Sequence, residues 1–207
     1  MAVDEAERGL AAGIEIAAEL AAAGIGLVAL GDLGIGNTTA ASAVAAALLP
    51  ADAEAVCGRG TGIDDAGLAR KVAVVRRALE ANAARMGDPL AALAGVGGFE
   101  LAVLAGVSLG GAENGQIVLL DGFVTAVAAL AASRLDRTSV DYMIATHRSP
   151  EPGHDLVLGD LGLRPLFDLG LRLGEGSGAA LAIPLVNAAL ALMAEMATFE
   201  EAGVSDR

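Results

Sequence analysis

One carboxylate in the chain is surrounded by glycines: Glu175 lies between Gly174 and Gly176, and Gly178 follows. Glycine tolerates backbone conformations that other residues avoid, and it lets the chain approach a ligand closely. An uncharged run with helical spacing comes next, interrupted only by Pro184. The pattern predicts that Glu175 lies in a tight loop at a helix N-terminus. Such a carboxylate is either a helix cap or a positioned acid or base, and the loop alone favours the cap.

A second candidate for ligand binding is the glycine loop at residues 31–39, which reads Gly-Asp-Leu-Gly-Ile-Gly-Asn-Thr-Thr. It follows an apolar run at residues 25–30 and precedes an alanine-rich segment ending near Leu49, which is the order strand, loop, helix. The N–H groups of such a helix start, with Asn37 or Thr38 as the cap, can bind a phosphate. The loop is neither a Walker A motif nor G-x-G-x-x-G. Taken alone, it fits a phosphate site and an ordinary strand-to-helix turn equally well.

A third glycine cluster, at residues 57–62, comes just before a helix predicted from Asp64 to about Met86. Lys71 lies two turns into that helix, and its side chain is either a solvated cation or the counter-charge of a bound phosphate. The most polar loop of the chain begins at His147 and ends at His154. Solvation or hydrogen bonding explains these two histidines better than a metal pair, because a zinc site needs further ligands.

Three short apolar runs alternate with helical segments and predict the strands that must carry these loops. The runs are residues 25–30, 116–120 and 141–146. The alternation predicts an α/β fold, in which a parallel Rossmann-like sheet is flanked by alanine-rich helices in three layers, α/β/α. Ligands bind at the carboxyl ends of such strands. Residues 31–37, 121–122 and 147–152 all fall at that edge, which favours a real site for an anionic ligand.

We expect residues 1–207 to form a single α/β nucleotide-binding domain. A C-terminal helix at about residues 179–200 could belong to a small helical subdomain. Residues 166–171 fit either a helix or a strand.

The composition limits the classes of function that this chain can have. Its 207 residues are 55% hydrophobic and 2% aromatic, with a formal net charge of -13. The charge argues against nucleic acid and against an anionic membrane surface. Small apolar side chains each bury little area, so we expect closely packed helices and a subunit interface. The lone Cys57 should be a buried thiol. The acidic start lacks the features of a signal peptide, and the two long uncharged runs contain polar residues, so we expect no membrane span and a cytoplasmic location.

Four segments, in order and at natural spacing, resemble the nicotinate-nucleotide–dimethylbenzimidazole phosphoribosyltransferases. They are residues 31–39, residues 58–62 with Asp64, Asp65 and Lys71, residues 173–178 and residues 196–204. Each motif alone has low specificity, whereas four in order across nearly the whole chain are specific. The match is to the C-terminal, larger portion of the family chain. It implies transfer of the 5-phosphoribosyl group from nicotinate mononucleotide to 5,6-dimethylbenzimidazole, which gives α-ribazole 5′-phosphate and nicotinate in cobalamin lower-ligand synthesis.

The resemblance also implies roles for individual residues. Glu175 would be the catalytic general base that accepts the N–H proton of the benzimidazole. The 5′-phosphate would lie against the backbone of residues 34–37 and of Gly60, with Lys71 nearby. The substrate-binding residues that the resemblance implies are Asp32, Leu33, Gly34, Ile35, Gly36, Asn37, Gly60, Lys71, Gly122, Ser149, Leu173, Gly174 and Gly176. It further implies a homodimer, small-molecule substrates, and neither a metal nor a cofactor, because a pyridinium is already an activated leaving group.

Two departures from the family pattern leave other interpretations open. Asp32 stands where family members commonly carry Glu, and the chain lacks the long N-terminal part that supplies some of the benzimidazole pocket. The chain could instead be a non-catalytic nucleotide-binding module, or a structural partner in a dimer. Release of nicotinate separates the enzyme from the binding module, and saturable nucleotide binding separates both from the structural partner.

Overall fold

The computed structural model describes residues 1–204, and three parallel strands lie at its centre. The strands are β1 (Leu27–Ala29), β2 (Ile117–Leu120) and β3 (Met143–Ala145). The α-helices are α1 (Val3–Ala22), α2 (Asn37–Leu48), α3 (Ala53–Val56), α4 (Asp65–Ala81), α5 (Pro89–Val96), α6 (Phe99–Glu113), α7 (Phe123–Leu135), α8 (Pro152–Leu161) and α9 (Ser177–Glu195). Two 3₁₀ helices cover Ala83–Arg85 and Arg137–Tyr142.

The sheet has the order β1-β2-β3, and both of its ladders are parallel. Val28 pairs with Val118, and Leu119 pairs with Ile144. The predicted parallel α/β sheet is therefore confirmed, with β2 in the middle. Because all three strands run the same way, the loops that follow them emerge at one edge.

Helices cover both faces of the sheet, as the three-layer prediction requires. Val118 and Leu120 face the larger core, which includes α7, a helix buried from Phe123 to Ser133. A helix that is apolar all round belongs in such a position. The opposite face packs against α9, where Leu119 meets Ala179, Ala182 and Val186.

Helices α1 and α6 pack with their backbones in direct contact. A Cβ added to Gly106 would lie 2.1 Å from the carbonyl oxygen of Leu10. A Cβ added to Gly13 would lie 2.1 Å from the carbonyl oxygen of Val103. The predicted close helix packing is confirmed at these glycines, because any side chain there would force the helices apart.

Three local predictions were wrong. The N-cap of α2 is Gly36, with a left-handed φ of 90°, so Asn37 and Thr38 lie inside the helix and neither caps it. Helix α4 ends at Ala81, short of Met86, because Asn82 closes its last turn by donating from Nδ2 to the carbonyl of Ala78. Residues 166–171 form neither a helix nor a full strand: an isolated parallel bridge pairs Phe167 with His147, and the N–H of Leu166 donates to the carbonyl of Ala145 at 3.1 Å.

Helix α9 has an exposed outer side that is strongly apolar. Leu181 and Leu185 are exposed there, and so is Met193 near the C-terminal end. Within residues 1–204, α9 is the one helix long and apolar enough to cross a membrane, on length and composition alone. Packing on the sheet accounts for the apolar character of its inner side. The single-domain assignment, and the subdomain assignment for α9, stay predictions.

Candidate active site

A cleft of about 170 Å³, partly open to solvent, lies at the carboxyl edge of the sheet. Its walls come from the loops that follow all three strands, from Gly60 and Thr61, and from residues 171–175. The structure therefore brings together the glycine loops and the polar loop that the sequence placed at this edge.

Glu175 lies in a left-handed turn at the start of α9. Residues 174, 175 and 176 have φ values of 73°, 58° and 79°, and Glu175 is the one non-glycine residue with positive φ among residues 1–204. The predicted tight loop at a helix N-terminus is confirmed. Its backbone touches the end of β1, since a Cβ on Gly31 would lie 2.8 Å from the nitrogen of Gly176. The Glu175 side chain is exposed and lines the cleft.

Asp121, the residue after β2, binds the start of α9. Its Oδ1 accepts hydrogen bonds from the backbone N–H of Gly178 at 2.7 Å and of Ala179 at 3.1 Å. Its Oδ2 accepts one from the N–H of Gly176 at 3.2 Å. The cap carboxylate of α9 is therefore Asp121, which removes the main reason for assigning a structural cap role to Glu175.

The glycine loop at residues 31–39 forms another wall of the cleft. The amide of Asn37 donates to the carboxylate of Asp32, and Asn37 Oδ1 accepts from the N–H of Thr38 at 3.0 Å. Burial raises the pKa of Asp32, as does the charge of Glu100, and the hydrogen bond from Asn37 opposes both effects. Ile35, at the tip of the loop, is fully exposed and points away from the core.

Lys71 is buried behind the same wall, with 7% of its surface exposed. Its Nζ donates to Thr38 Oγ1 at 3.1 Å and to the carbonyl of Gly58 at 3.0 Å. Burial lowers its pKa, and the charges of Glu151 and Cys57 work in the opposite direction. Lys71 is therefore not a solvated cation. It connects the glycine cluster at residues 57–62 to Thr38, which itself lines the cleft.

The polar loop after β3 supplies one side of the cleft and buries both histidines. His154 Nδ1 accepts from the N–H of Ser149 at 3.0 Å. The pKa of His154 falls to about 4, mainly through burial and then through the charge of His147. His147 is 3% exposed, lines the cleft, and has no hydrogen-bond partner on Nε2 within the described range. Hydrogen bonding rather than solvation is thus confirmed for His154.

Most of the residues that the sequence implicated line the cleft. The lining includes Asp32, Leu33, Gly34, Asn37, Gly60, Gly122, Ser149, Leu173, Gly174 and Glu175. The structure places Ile35, Gly36, Lys71 and Gly176 outside the lining, in the loops and helix that support it. Among residues 1–204, no cluster of three His, Cys, Asp or Glu side chains is arranged to hold a metal ion.

Sequence reasoning did not assign several lining residues. They are Thr38, Thr61, Asp121, Phe123, Val124, Thr125, His147, Pro150, Glu151, Leu171 and Arg172. The sequence indicated Asp121 only as part of the segment 121–122, which falls at the carboxyl edge of the sheet. Residues 123–125 form the first turn of α7 directly after a strand and a glycine, a pattern that could have pointed to them.

A model of a family described as phosphoribosyltransferase matches residues 1–204. A nicotinate-nucleotide–dimethylbenzimidazole phosphoribosyltransferase from Desulforudis audaxviator is 53% identical over 201 residues, which cover 97% of this chain and 57% of the relative. The enzyme of the same name from Azotobacter vinelandii is 53% identical over 206 residues, which cover 100% of this chain and 58% of the relative. The crystal structure of CobT from Thermus thermophilus superposes with a TM-score of 0.94 at 51% identity, covering all of this chain and 62% of that one. The chain thus spans a little over half the length of the curated relatives that it matches.

Proposed function

Because the chain belongs to the nicotinate-nucleotide–dimethylbenzimidazole phosphoribosyltransferase family, we propose that it transfers the 5-phosphoribosyl group from nicotinate mononucleotide to 5,6-dimethylbenzimidazole. The observation that carries the proposal is the cleft itself, where Glu175 and the glycine loop before α2 are walls of one cavity. The products would be α-ribazole 5′-phosphate and nicotinate, for cobalamin lower-ligand synthesis.

The 5′-phosphate is proposed to bind at the glycine loop of residues 31–39 and at Gly60. Gly34 and Gly60 line the cleft, and α2 begins within it at Asn37 and Thr38. A helix N-terminus attracts an anion through its N–H groups and its dipole. Lys71 adds a buried positive charge directly behind Thr38. Its contribution to binding is therefore electrostatic and passes through Thr38, rather than through an exposed ammonium.

The ribose and the two bases are proposed to occupy the remainder of the cleft. Gly122 and Ser149, which follow β2 and β3, line the same cleft as the glycine loop at residues 31–39. Leu33 and Leu173 line the cleft with largely exposed side chains, 81% and 71%, and would shield a flat aromatic base from water. Burying apolar area of this kind favours binding.

The proposed chemistry is a displacement at C1′ assisted by a general base. The unprotonated azole nitrogen attacks C1′ with its lone pair, the bond from C1′ to the pyridinium nitrogen breaks, and nicotinate leaves with that electron pair. The proton on the other azole nitrogen passes to the carboxylate of Glu175. A positioned base contributes about 10²- to 10⁴-fold to such a step. The inversion from β to α follows from attack on the face opposite the leaving group.

The chain is proposed to act as a cytoplasmic homodimer. Support comes from the exposed apolar side of α9, where Leu181, Leu185 and Met193 are each at least 51% exposed. Large apolar patches of this kind usually mark an interface. Light scattering of the purified chain tests this part, and a monomer mass at micromolar concentration contradicts it.

The second candidate is a nucleotide-binding module that does not transfer a base, and the large exposed fractions of Leu33 and Leu173 in the cleft, 81% and 71%, favour it. In that case the glycine loops would bind nicotinate mononucleotide, but no base would be transferred.

An assay of nicotinate release from nicotinate mononucleotide, with and without 5,6-dimethylbenzimidazole, tests the proposal on the 207-residue chain. Release that depends on the azole supports the enzyme. Saturable nucleotide binding without release supports the binding module. Absence of both contradicts the two proposals together.

A further inference from the structure

We propose that Asp121 is a positioning residue, which holds the loop of Glu175 in its productive place by binding three backbone N–H groups at the start of α9. The inference about turnover rests on the proposed function, while the inference about the loop does not. Asp121 is 4% exposed and follows the last residue of β2. It therefore joins the most central strand of the sheet to the loop that carries Glu175.

Asp121 binds the backbone of the residues that directly follow Glu175. Gly176, the residue directly after Glu175, donates to Oδ2 at 3.2 Å. Gly178 and Ala179 donate to Oδ1 at 2.7 and 3.1 Å. These residues lie 55 to 58 positions later in the sequence than the aspartate. One carboxylate thus pins both the loop and the first turn of the helix, and its charge suits the helix N-terminus.

The conformation of the loop explains why such an anchor is needed. Gly174, Glu175 and Gly176 are all left-handed, and Glu175 adopts a φ of 58°, which residues with a side chain rarely do. A strained backbone of this kind persists only when its surroundings determine it. The hydrogen bonds to Asp121 and the close approach of Gly176 to Gly31 supply that determination.

His147 packs against both Asp121 and the start of α9. Its Nε2 lies 3.8 Å from Asp121 Oδ1, beyond hydrogen-bond distance. A Cβ added to Gly178 would lie 2.1 Å from His147 Cδ2 and 2.9 Å from Asp121 Oδ1. The helix start is therefore packed between the aspartate and the imidazole. Any movement of Asp121 would shift residues 176–179, and Glu175 with them.

Asp121→Asn is the sharpest test, because it keeps the size of the side chain and one acceptor oxygen. If the remaining oxygen still accepts from the N–H groups of Gly178 and Ala179, the new NH₂ group faces the N–H of Gly176. Both of these groups are donors, so no hydrogen bond can form between them. The bond nearest Glu175 is lost, and the negative charge is removed from the helix start. Asp160→Asn is the matched control, since Asp160 binds Arg134 at 2.9 Å on the α7–α8 side of the molecule.

Three measurements on the 207-residue chain follow from the proposal. In Asp121→Asn, hydrogen exchange of the amides of residues 176–179 should speed up at least about tenfold, while the amides of α6 stay protected. The kcat for azole-dependent nicotinate release should fall about 100-fold, because a shift of roughly 1 Å in a catalytic group has that effect. The KM for nicotinate mononucleotide should change by less than about threefold. Asp160→Asn should change none of these values.

Several results would overturn the inference. Unchanged exchange at residues 176–179 means that Asp121 does not hold the loop. Faster exchange with full kcat means that the loop position does not govern catalysis. If the unmodified chain shows no azole-dependent release, the proposed function fails for it, and the exchange result still decides whether Asp121 anchors the loop. If Asp121→Asn does not fold, hydrogen exchange of the unmodified chain decides: the amides of Gly176, Gly178 and Ala179, which donate to Asp121, must be protected, and exchange at the rate of free amides overturns the inference.

Discussion

Lowering the pH should destabilise this protein through His154, because its imidazole is buried in the neutral form. The side chain is 1% exposed, and the pKa falls from 6.5 to about 4 through burial and the charges of His147 and Arg148, with Asp155 opposing. The unfolded chain binds the proton near pH 6.5 and the folded chain only near pH 4. Acid therefore favours the unfolded state across this window. The full effect is about 3 kcal/mol, at 1.36 kcal/mol per pKa unit.

The variant His154→Asn isolates this effect, since an amide oxygen can still accept the N–H of Ser149 but does not titrate. Urea unfolding followed by circular dichroism at pH 7 and pH 5 gives the free energy of unfolding of each protein. We expect the free energy of unfolding to fall by about 2 kcal/mol more in the unmodified protein than in the variant when the pH is lowered from 7 to 5. Carboxylates that titrate in the same range contribute to both proteins, and their contribution largely cancels. Equal losses in the two proteins would refute the buried, neutral state of His154.

Three further predictions concern other positions. Gly106→Ala should lower the free energy of unfolding by about 1–3 kcal/mol, because its Cβ meets the carbonyl of Leu10. Gly159→Ala, whose Cβ meets nothing within 4 Å, should raise the free energy of unfolding by about 0.5–1 kcal/mol. Urea unfolding measures both variants, and changes of the same sign in Gly106→Ala and Gly159→Ala would contradict the packing argument. Lys71→Ala should raise the Kd for nicotinate mononucleotide about tenfold in calorimetry, with a smaller effect on kcat; an unchanged Kd removes Lys71 from binding. Cys57, whose pKa burial raises, should resist iodoacetamide at pH 8 until the chain unfolds, and rapid labelling of the folded protein would contradict this.

The parts of the fold that were predictable depend on local patterns. The strand that ends at Leu120 and the loop around Glu175 were located closely, because apolar runs and glycine spacing report on neighbours along the chain. The parallel arrangement also followed, since alternating strands and helices allow few other topologies. The polar segments after the strands then had to meet at one edge, and they line one cleft.

The parts that were missed depend on contacts between distant residues. Lys71 is buried because Gly58 and Thr38, 13 and 33 positions earlier, provide acceptors for its ammonium group. Helical spacing alone could not distinguish that from a solvated cation. The cap of α9 comes from Asp121, and the cap of α2 is Gly36 rather than a polar side chain. Such details depend on contacts between residues that are far apart in the sequence, and local sequence patterns do not show those contacts.

Comparing Glu175→Gln with the unmodified 207-residue chain tests the central proposal most directly. Glutamine keeps the shape of the side chain and cannot accept the azole proton as a base. We predict that azole-dependent nicotinate release falls by about 10²- to 10⁴-fold, while the Kd for nicotinate mononucleotide stays within about threefold. Release at the unmodified rate from Glu175→Gln would contradict the assignment of Glu175 as the general base.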